Sequence, residues 1–110
     1  MKTLRLYQAK NGKHPFLVWV ESLKDLKAQA QINNRVRRLS LGQRGDYKRV
    51  GKGVFELRIH FGPGYRVYFG EHGKEVILLL LGGSKRSQKG DIEQAITYWQ
   101  DYKERYREKD

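Results

Sequence analysis

Six consecutive aliphatic residues, Val76-Ile77-Leu78-Leu79-Leu80-Leu81, constrain the fold more than any other stretch of this chain. A strand with one wet face alternates apolar and polar residues, so a run that never alternates marks a strand with both faces covered. The run is far too short to cross a bilayer, which needs about 20 apolar residues as a helix. It therefore predicts an interior strand of a sheet, with helices covering the far side. Any fold for the chain has to supply neighbouring strands and a cover on each face.

The rest of the sequence provides them. From Val54 the period is two: Phe55, Leu57, Ile59 and Phe61 alternate with Glu56, Arg58 and His60, which is a strand with one buried and one polar face. Gly62-Pro63-Gly64 supplies turn chemistry before a strand over Tyr65 to Phe69, and Glu71-His72-Gly73-Lys74 marks a second reversal before the aliphatic run. Together these predict a meander of three antiparallel strands. Leu4 to Tyr7 predicts a short opening strand. His14-Pro15 then leads into Phe16, Trp19, Val20, Leu23 and Leu26 at helical spacing, with proline at a first helical position. Ile32, Val36 and Leu39 repeat the pattern in a second helix closed by Gly42, so the pair predicts an α-hairpin. A final helix is expected from Asp91, with Gln94 completing a capping-box pattern and Ile92, Ala95, Ile96, Trp99, Tyr102 and Tyr106 forming its apolar stripe. The charged tail beyond Tyr106 is expected to fray. The fold class is thus α+β: an N-terminal strand and α-hairpin, an antiparallel meander and a C-terminal helix. At 110 residues the chain has room for one such domain.

Charge narrows the partner. Residues 1 to 90 carry 19 lysines and arginines against 6 acids, whereas the last twenty carry 4 against 6. A polyanion is the natural ligand of so large an excess, and solubility alone does not require it. With no cysteine in the chain, disulfide staples, thiolate zinc sites and thiol nucleophiles are excluded. Histidines and carboxylates do not cluster at metal-ligand spacing. The N-terminus lacks the apolar run of a signal peptide, and the expectation is a soluble, cytoplasmic protein without membrane partners.

Two constellations carry candidate chemistry. On the meander, Glu56, Arg58 and His60 share one strand face, and Arg66 and Tyr68 share a face of the next. Guanidinium groups interleaved with aromatic rings suit RNA, the former taking phosphates and the latter stacking on unpaired bases. The same residues equally describe a solvated outer face on which Glu56 pairs with arginine. The second constellation, Gly82-Gly83-Ser84-Lys85-Arg86-Ser87, reads as a loop that cradles a phosphate with two cations at its end, or as ordinary loop chemistry. It lacks the spacing of a nucleotide-binding P-loop.

The run Phe55-Glu56-Leu57-Arg58, then Gly64-Tyr65-Arg66-Val67-Tyr68, then an aliphatic strand ending in Gly83-Ser84-Lys85-Arg86, resembles the RelE/ParE superfamily of bacterial toxins. Within it the chain is most similar to HigB-like, phage-derived addiction-module killer proteins. The resemblance implies a RelE-like fold and a toxin of a type II toxin-antitoxin pair that cuts messenger RNA within the translating ribosome. Its tight partner would be a cognate antitoxin, and no cofactor is implied. In such nucleases the arginines of the Gly-Tyr-Arg and Lys-Arg segments serve the reacting phosphate; those roles fall on Arg66 and Arg86. The chain departs from the pattern where the family has a lysine pair, holding Val54 and Glu56, and where it has a tyrosine near the last helix, holding Ile92. The general acid and base do not carry over.

Metal-free RNA cleavage needs a group to deprotonate the 2′-hydroxyl, a proton donor for the leaving oxygen and cations for the phosphorane. Arginine supplies only the last, because it does not deprotonate. His60 is the acid-base candidate, since it shares a strand face with Arg58 and imidazole exchanges a proton near neutral pH. Arg58, Tyr68 and Lys85 are candidates for RNA contact. Lys48, Arg49 and Lys52 lie just upstream to contact the backbone, and a lysine among cations is a second candidate base. His14 and His72 sit at turn positions and carry no catalytic role in this reading. Two other functions stay open: a ParE-like inhibitor of DNA gyrase, and a non-catalytic nucleic-acid-binding phage protein.

Overall fold

The structure, a computed structural model, describes residues 1–108, with side chains through Tyr106. Strands β1 (Thr3–Leu6), β2 (Tyr47–Gly51), β3 (Val54–Ile59), β4 (Tyr65–His72) and β5 (Val76–Ser84) form one sheet. Their order is β1-β5-β4-β3-β2. The aliphatic run lies inside it, parallel to β1 through Leu6↔Leu79 and antiparallel to β4 through Tyr65↔Ser84. Ile77 and Leu79 join the core on one face and Leu78 and Leu80 the core on the other, none more than 3% exposed. Continuous hydrophobicity and two-sided burial thus coincide.

Helices α1 (Pro15–Ser22) and α2 (Leu26–Ser40) cover the first face, where Phe16, Val20, Ile32 and Leu39 pack with Leu57 and Phe69. Helix α3 (Gln88–Glu108) covers the second, where Ala95 and Trp99 pack with Val54, Tyr68, Leu78 and Leu80. An indole lies on a glycine on each side. A Cβ at Gly82 would stand 2.1 Å from Trp19, and one at Gly70 would stand 2.4 Å from Trp99. Large flat side chains can approach the sheet only where the sheet has no side chain of its own. The fold is α+β, as the periodicities require.

Several elements differ from the sequence-based expectation. The sheet holds a fourth antiparallel strand, β2, joined to β3 by Lys52-Gly53 with φ of 49° and 89°. Positive φ at both central residues is the type I′ turn that matches strand twist, and β2 itself hides because its residues are nearly all exposed. The pairing of β1 with β5 makes the sheet mixed, and β1 begins at Thr3 rather than Leu4. The series from Phe16 to Leu26 is divided between two helices: Asp25 caps α2 by accepting from the backbone N–H groups of Lys27 (2.9 Å) and Ala28 (3.3 Å). Leu26 is left 75% exposed, because a side-chain cap starts a new helix at the point where the old one would continue. Gly82 and Gly83 belong to β5 and are buried, so they do not form a phosphate-cradling loop. Helix α3 starts at Gln88, after a single 3-10 turn at Lys85–Ser87, and Asp91 lies inside its first turn accepting from the Ser87 hydroxyl. The helical backbone continues to Glu108; fraying at the end of the charged tail concerns residues outside those described.

Candidate functional site

The register of β3 and β4 places Arg58 opposite Arg66 and Glu56 opposite Tyr68. Two like charges directly across a ladder repel, and the carboxylate between them offsets that repulsion. Glu56 has no exposed surface. Its Oε1 accepts from Arg58 Nε at 3.1 Å, and its Oε2 accepts from the Gln88 amide at 2.8 Å and the Tyr68 hydroxyl at 3.2 Å. Arg66 Nε stands 3.5 Å from Oε2. Burial pushes the Glu56 carboxyl up, but the donors Gln88 and Arg58, the charge of Arg66 and the Tyr68 hydroxyl outweigh it and hold the group below the usual carboxylate range. Burial and the neighbouring carboxylate push the Tyr68 hydroxyl up, so it stays a neutral donor.

This overturns part of the sequence reading. The polar face of β3 and β4 is solvated only in part: the start of α3 covers Glu56 and Tyr68, whereas Arg58 and His60 stay open to solvent, and the alternative in which Glu56 pairs with arginine holds. Tyr68 is 0% exposed and cannot stack on a base. Its hydroxyl instead serves Glu56. Sequence gave no signal for Gln88, since its contact with Glu56 spans 32 residues and exists only once α3 docks.

Beside the buried carboxylate opens a cleft of ≈ 520 Å³ lined by Arg58, His60, Tyr65, Arg66 and Lys85 and floored by the turn through Gly64. The backbone N–H of Lys85 donates to the Gly64 carbonyl at 3.2 Å, pinning the 3-10 turn against the β3–β4 turn. Arg58 and Arg66 both direct Nε toward Glu56, and their side chains are 30% and 12% exposed. His60 is at the rim: its ring is 76% exposed and its Nε2 lies 2.6 Å from the Asp46 carboxylate. The hydrogen bond from His60 is the main cause that holds Asp46 below its ordinary range. A carboxylate fixing one ring nitrogen leaves the other for proton transfer. Asp46 escaped the sequence reading because it precedes a strand that the periodicity did not reveal. Arg35 braces this corner by donating to the carbonyls of Arg44 and Arg58, each at 3.3 Å.

The structure therefore gathers Arg58, Arg66, Lys85 and His60. Arg86 shares the exposed 3-10 turn with Lys85 but does not line the cleft, whereas Lys85 does. Lys48 and Arg49 lie on β2 and line a different cleft, of ≈ 530 Å³, with Arg44, Tyr47, Phe55 and Glu71. Lys52 forms the exposed tip of the β2–β3 hairpin. His14 precedes α1, and His72 Nδ1 lies 3.0 Å from the Tyr102 hydroxyl; neither reaches the Arg58–Lys85 cleft. Among the described residues no group of three or more histidine and acidic side chains is placed to hold a metal ion, and no helix is long and apolar enough to cross a membrane.

Fold and cleft together define an α+β protein whose mixed sheet carries a cationic, histidine-rimmed cleft beside a buried carboxylate. The chain belongs to the family of an uncharacterized protein from Haemophilus influenzae strain Rd, to which it is 49% identical over 77 residues, 70% of this chain and 78% of that protein. No family model matches the chain.

Proposed function

We propose that the chain is the toxin of a type II toxin-antitoxin pair, RelE-like, and that it cuts messenger RNA at the ribosome in the cytoplasm. The observation that carries this reading is the meeting of Arg58, Arg66 and Lys85 with the His60–Asp46 pair around one cleft. In the proposed reaction the 2′-hydroxyl loses its proton and its oxygen attacks the adjacent phosphorus. The bond to the 5′-oxygen breaks, and that oxygen leaves with a proton. His60 exchanges these protons, with Asp46 orienting the ring. Arg66 and Lys85 offset the charge gathering on the phosphorane, and Arg58 holds the flanking backbone. Arg86, exposed on the neighbouring turn, contacts RNA outside the cleft. The excess of cations in the first ninety residues supports a polyanionic substrate and an acidic or amphipathic antitoxin segment that covers it.

One observation favours a second reading. Arg66 commits its Nε to the neighbourhood of Glu56, and Arg86 stands outside the cleft, an arrangement that serves binding without cutting. A gyrase inhibitor of ParE type, or a non-catalytic nucleic-acid-binding protein, would need no more. Induction of the wild-type chain, Lys85→Ala and His60→Ala in bacteria, with transcript ends mapped, separates the readings. The nuclease predicts new ends in the wild type, a loss of about a hundredfold in Lys85→Ala, and a loss of about 10²- to 10⁴-fold in His60→Ala. Growth arrest with intact transcripts and inhibited supercoiling by purified protein would establish the gyrase reading instead. Harmless expression with salt-sensitive RNA binding would leave the binding protein.

A further inference from the structure

The second cleft, at the free edge of the sheet, is built from different materials. Among the described residues β2 pairs only with β3, so its outer edge has no neighbouring strand. Tyr47 on this strand is 38% exposed. The guanidinium of Arg44 lies 5.2 Å over the Tyr47 ring and is itself held by Glu71. Phe55 meets Tyr47 at 6.1 Å and stacks on Phe69 at 5.3 Å with 17° between the rings. Over Phe55, at 5.4 Å, lies the guanidinium of Arg49. The cluster is thus a short ladder of rings and guanidinium planes whose order is set by its own contacts.

Its charge is left in excess. Among the described residues Glu71 is the one carboxylate lining this cleft, and it already serves both Arg44 and Lys2. The hydrogen bond from Arg44 is the main cause that holds it ionised below the usual range. Lys48 and Arg49 have no ion-pair partner among the described residues. A partly exposed aromatic ring, fixed in place and flanked by unneutralised cations, matches an unpaired base with phosphates on either side. A duplex keeps its bases stacked on each other and cannot use the ring. An acidic peptide would use the cations, but its carboxylate side chains offer no ring to lay on Tyr47.

We propose that the edge formed by Arg44, Tyr47, Arg49 and Phe55 is a stacking site for a base of single-stranded RNA, with Lys48 and Arg49 taking the adjacent phosphates. The inference rests on RNA being the ligand of this protein, but not on its being cut. It gives the substrate a second point of attachment separate from the Arg58–Lys85 cleft, and it favours unpaired stretches over helices. Fixing the ring beforehand reduces the ordering that binding would otherwise require.

A cycle of protein and nucleobase changes tests it, using short single-stranded RNA with 2′-O-methyl sugars, which cannot be cleaved by 2′-oxygen attack. Tyr47→Leu keeps an apolar side chain against Phe55 and removes the ring. It is expected to weaken binding about 5- to 150-fold. Scanning an abasic position along the strand should find one at which the wild type loses a similar factor while Tyr47→Leu loses nothing further. Arg49→Ala should weaken both strands alike and flatten their salt dependence. Wild-type affinity in Tyr47→Leu, or the same Tyr47→Leu loss on duplex RNA as on a single strand, overturns the proposal. So does displacement of the strand by an acidic peptide to which Tyr47→Leu is indifferent while Arg49→Ala is not, which assigns the edge to a protein partner. His60→Ala and Lys85→Ala keep the readings apart, because they slow cutting at least about a hundredfold and leave the cycle intact if both hold. No binding by the wild type removes the RNA reading itself.

Discussion

A carboxylate with no exposed surface stays ionised only where donors replace the water it has lost. Glu56 has Arg58, Tyr68 and Gln88 as donors and the Arg66 charge nearby. Taking the charge away leaves two arginines facing each other across a ladder, one of them nearly buried, and breaking such an arrangement costs about 3 kcal/mol. Glu56→Gln is accordingly expected to lower the unfolding free energy read from urea titration by an amount of that order at neutral pH. The sign of the pH effect follows from the depressed carboxyl. Stabilisation is complete above the ordinary carboxylate range and is lost as pH falls through the lower folded value. The wild type should therefore lose stability on acidification more steeply than Glu56→Gln, with Asp46 and Glu71 supplying the slope that remains. Parallel acid limbs in the two proteins would show that Glu56 is not the titrating anchor. The sequence disclosed that Glu56 and Arg58 share a face; it did not disclose that the face is covered over Glu56.

At the level of elements, α1 and α3 grip the sheet through Trp19 and Trp99, and each indole needs a bare strand beneath it. Gly70→Ala puts a methyl group where Trp99 already is, at 2.4 Å, and overpacking of this kind costs about 1–3 kcal/mol. Gly82→Ala does the same under Trp19. Gly90→Ala is the contrast: nothing lies within 4 Å of the added Cβ, and the position is in the first turn of α3. Alanine there should be neutral or stabilising by up to about 1 kcal/mol. Thermal melts of the three variants, with tryptophan fluorescence to report the indole, decide the matter; a Gly70→Ala protein as stable as wild type would refute the packing account. The position of these glycines was visible in sequence, but their role was not. Gly82-Gly83 reads locally as a loop, and only the indole above it and the Asp91 carboxylate beside it explain why a strand carries two glycines in succession.

For the whole molecule, the decisive property is the placement of cations about two clefts. If Arg58, Arg66, Lys85, Lys48 and Arg49 all meet phosphates of one strand, the logarithm of affinity should fall with the logarithm of salt at a slope of about −3.5, near −0.7 per contact. Each alanine replacement should reduce that slope by about 0.7, whichever cleft it empties, as measured by titration over a salt series. A slope near zero would mean that the charge serves solubility alone. The sequence by itself determined the charge excess, the α+β class, the interior position of β5 and the existence of β3 and β4, though not their far ends, because these follow from period and composition along the chain. Only the tertiary structure decided that α3 buries Glu56 and Tyr68, that Lys85 rather than Arg86 joins Arg66, that Asp46 orients His60, and that β2 forms an edge at all. Those contacts join segments separated by 12 to 32 residues or depend on exposed strands without alternation. Local pattern records which face a residue takes within its own element, whereas what covers that face is set by where the other elements come to rest.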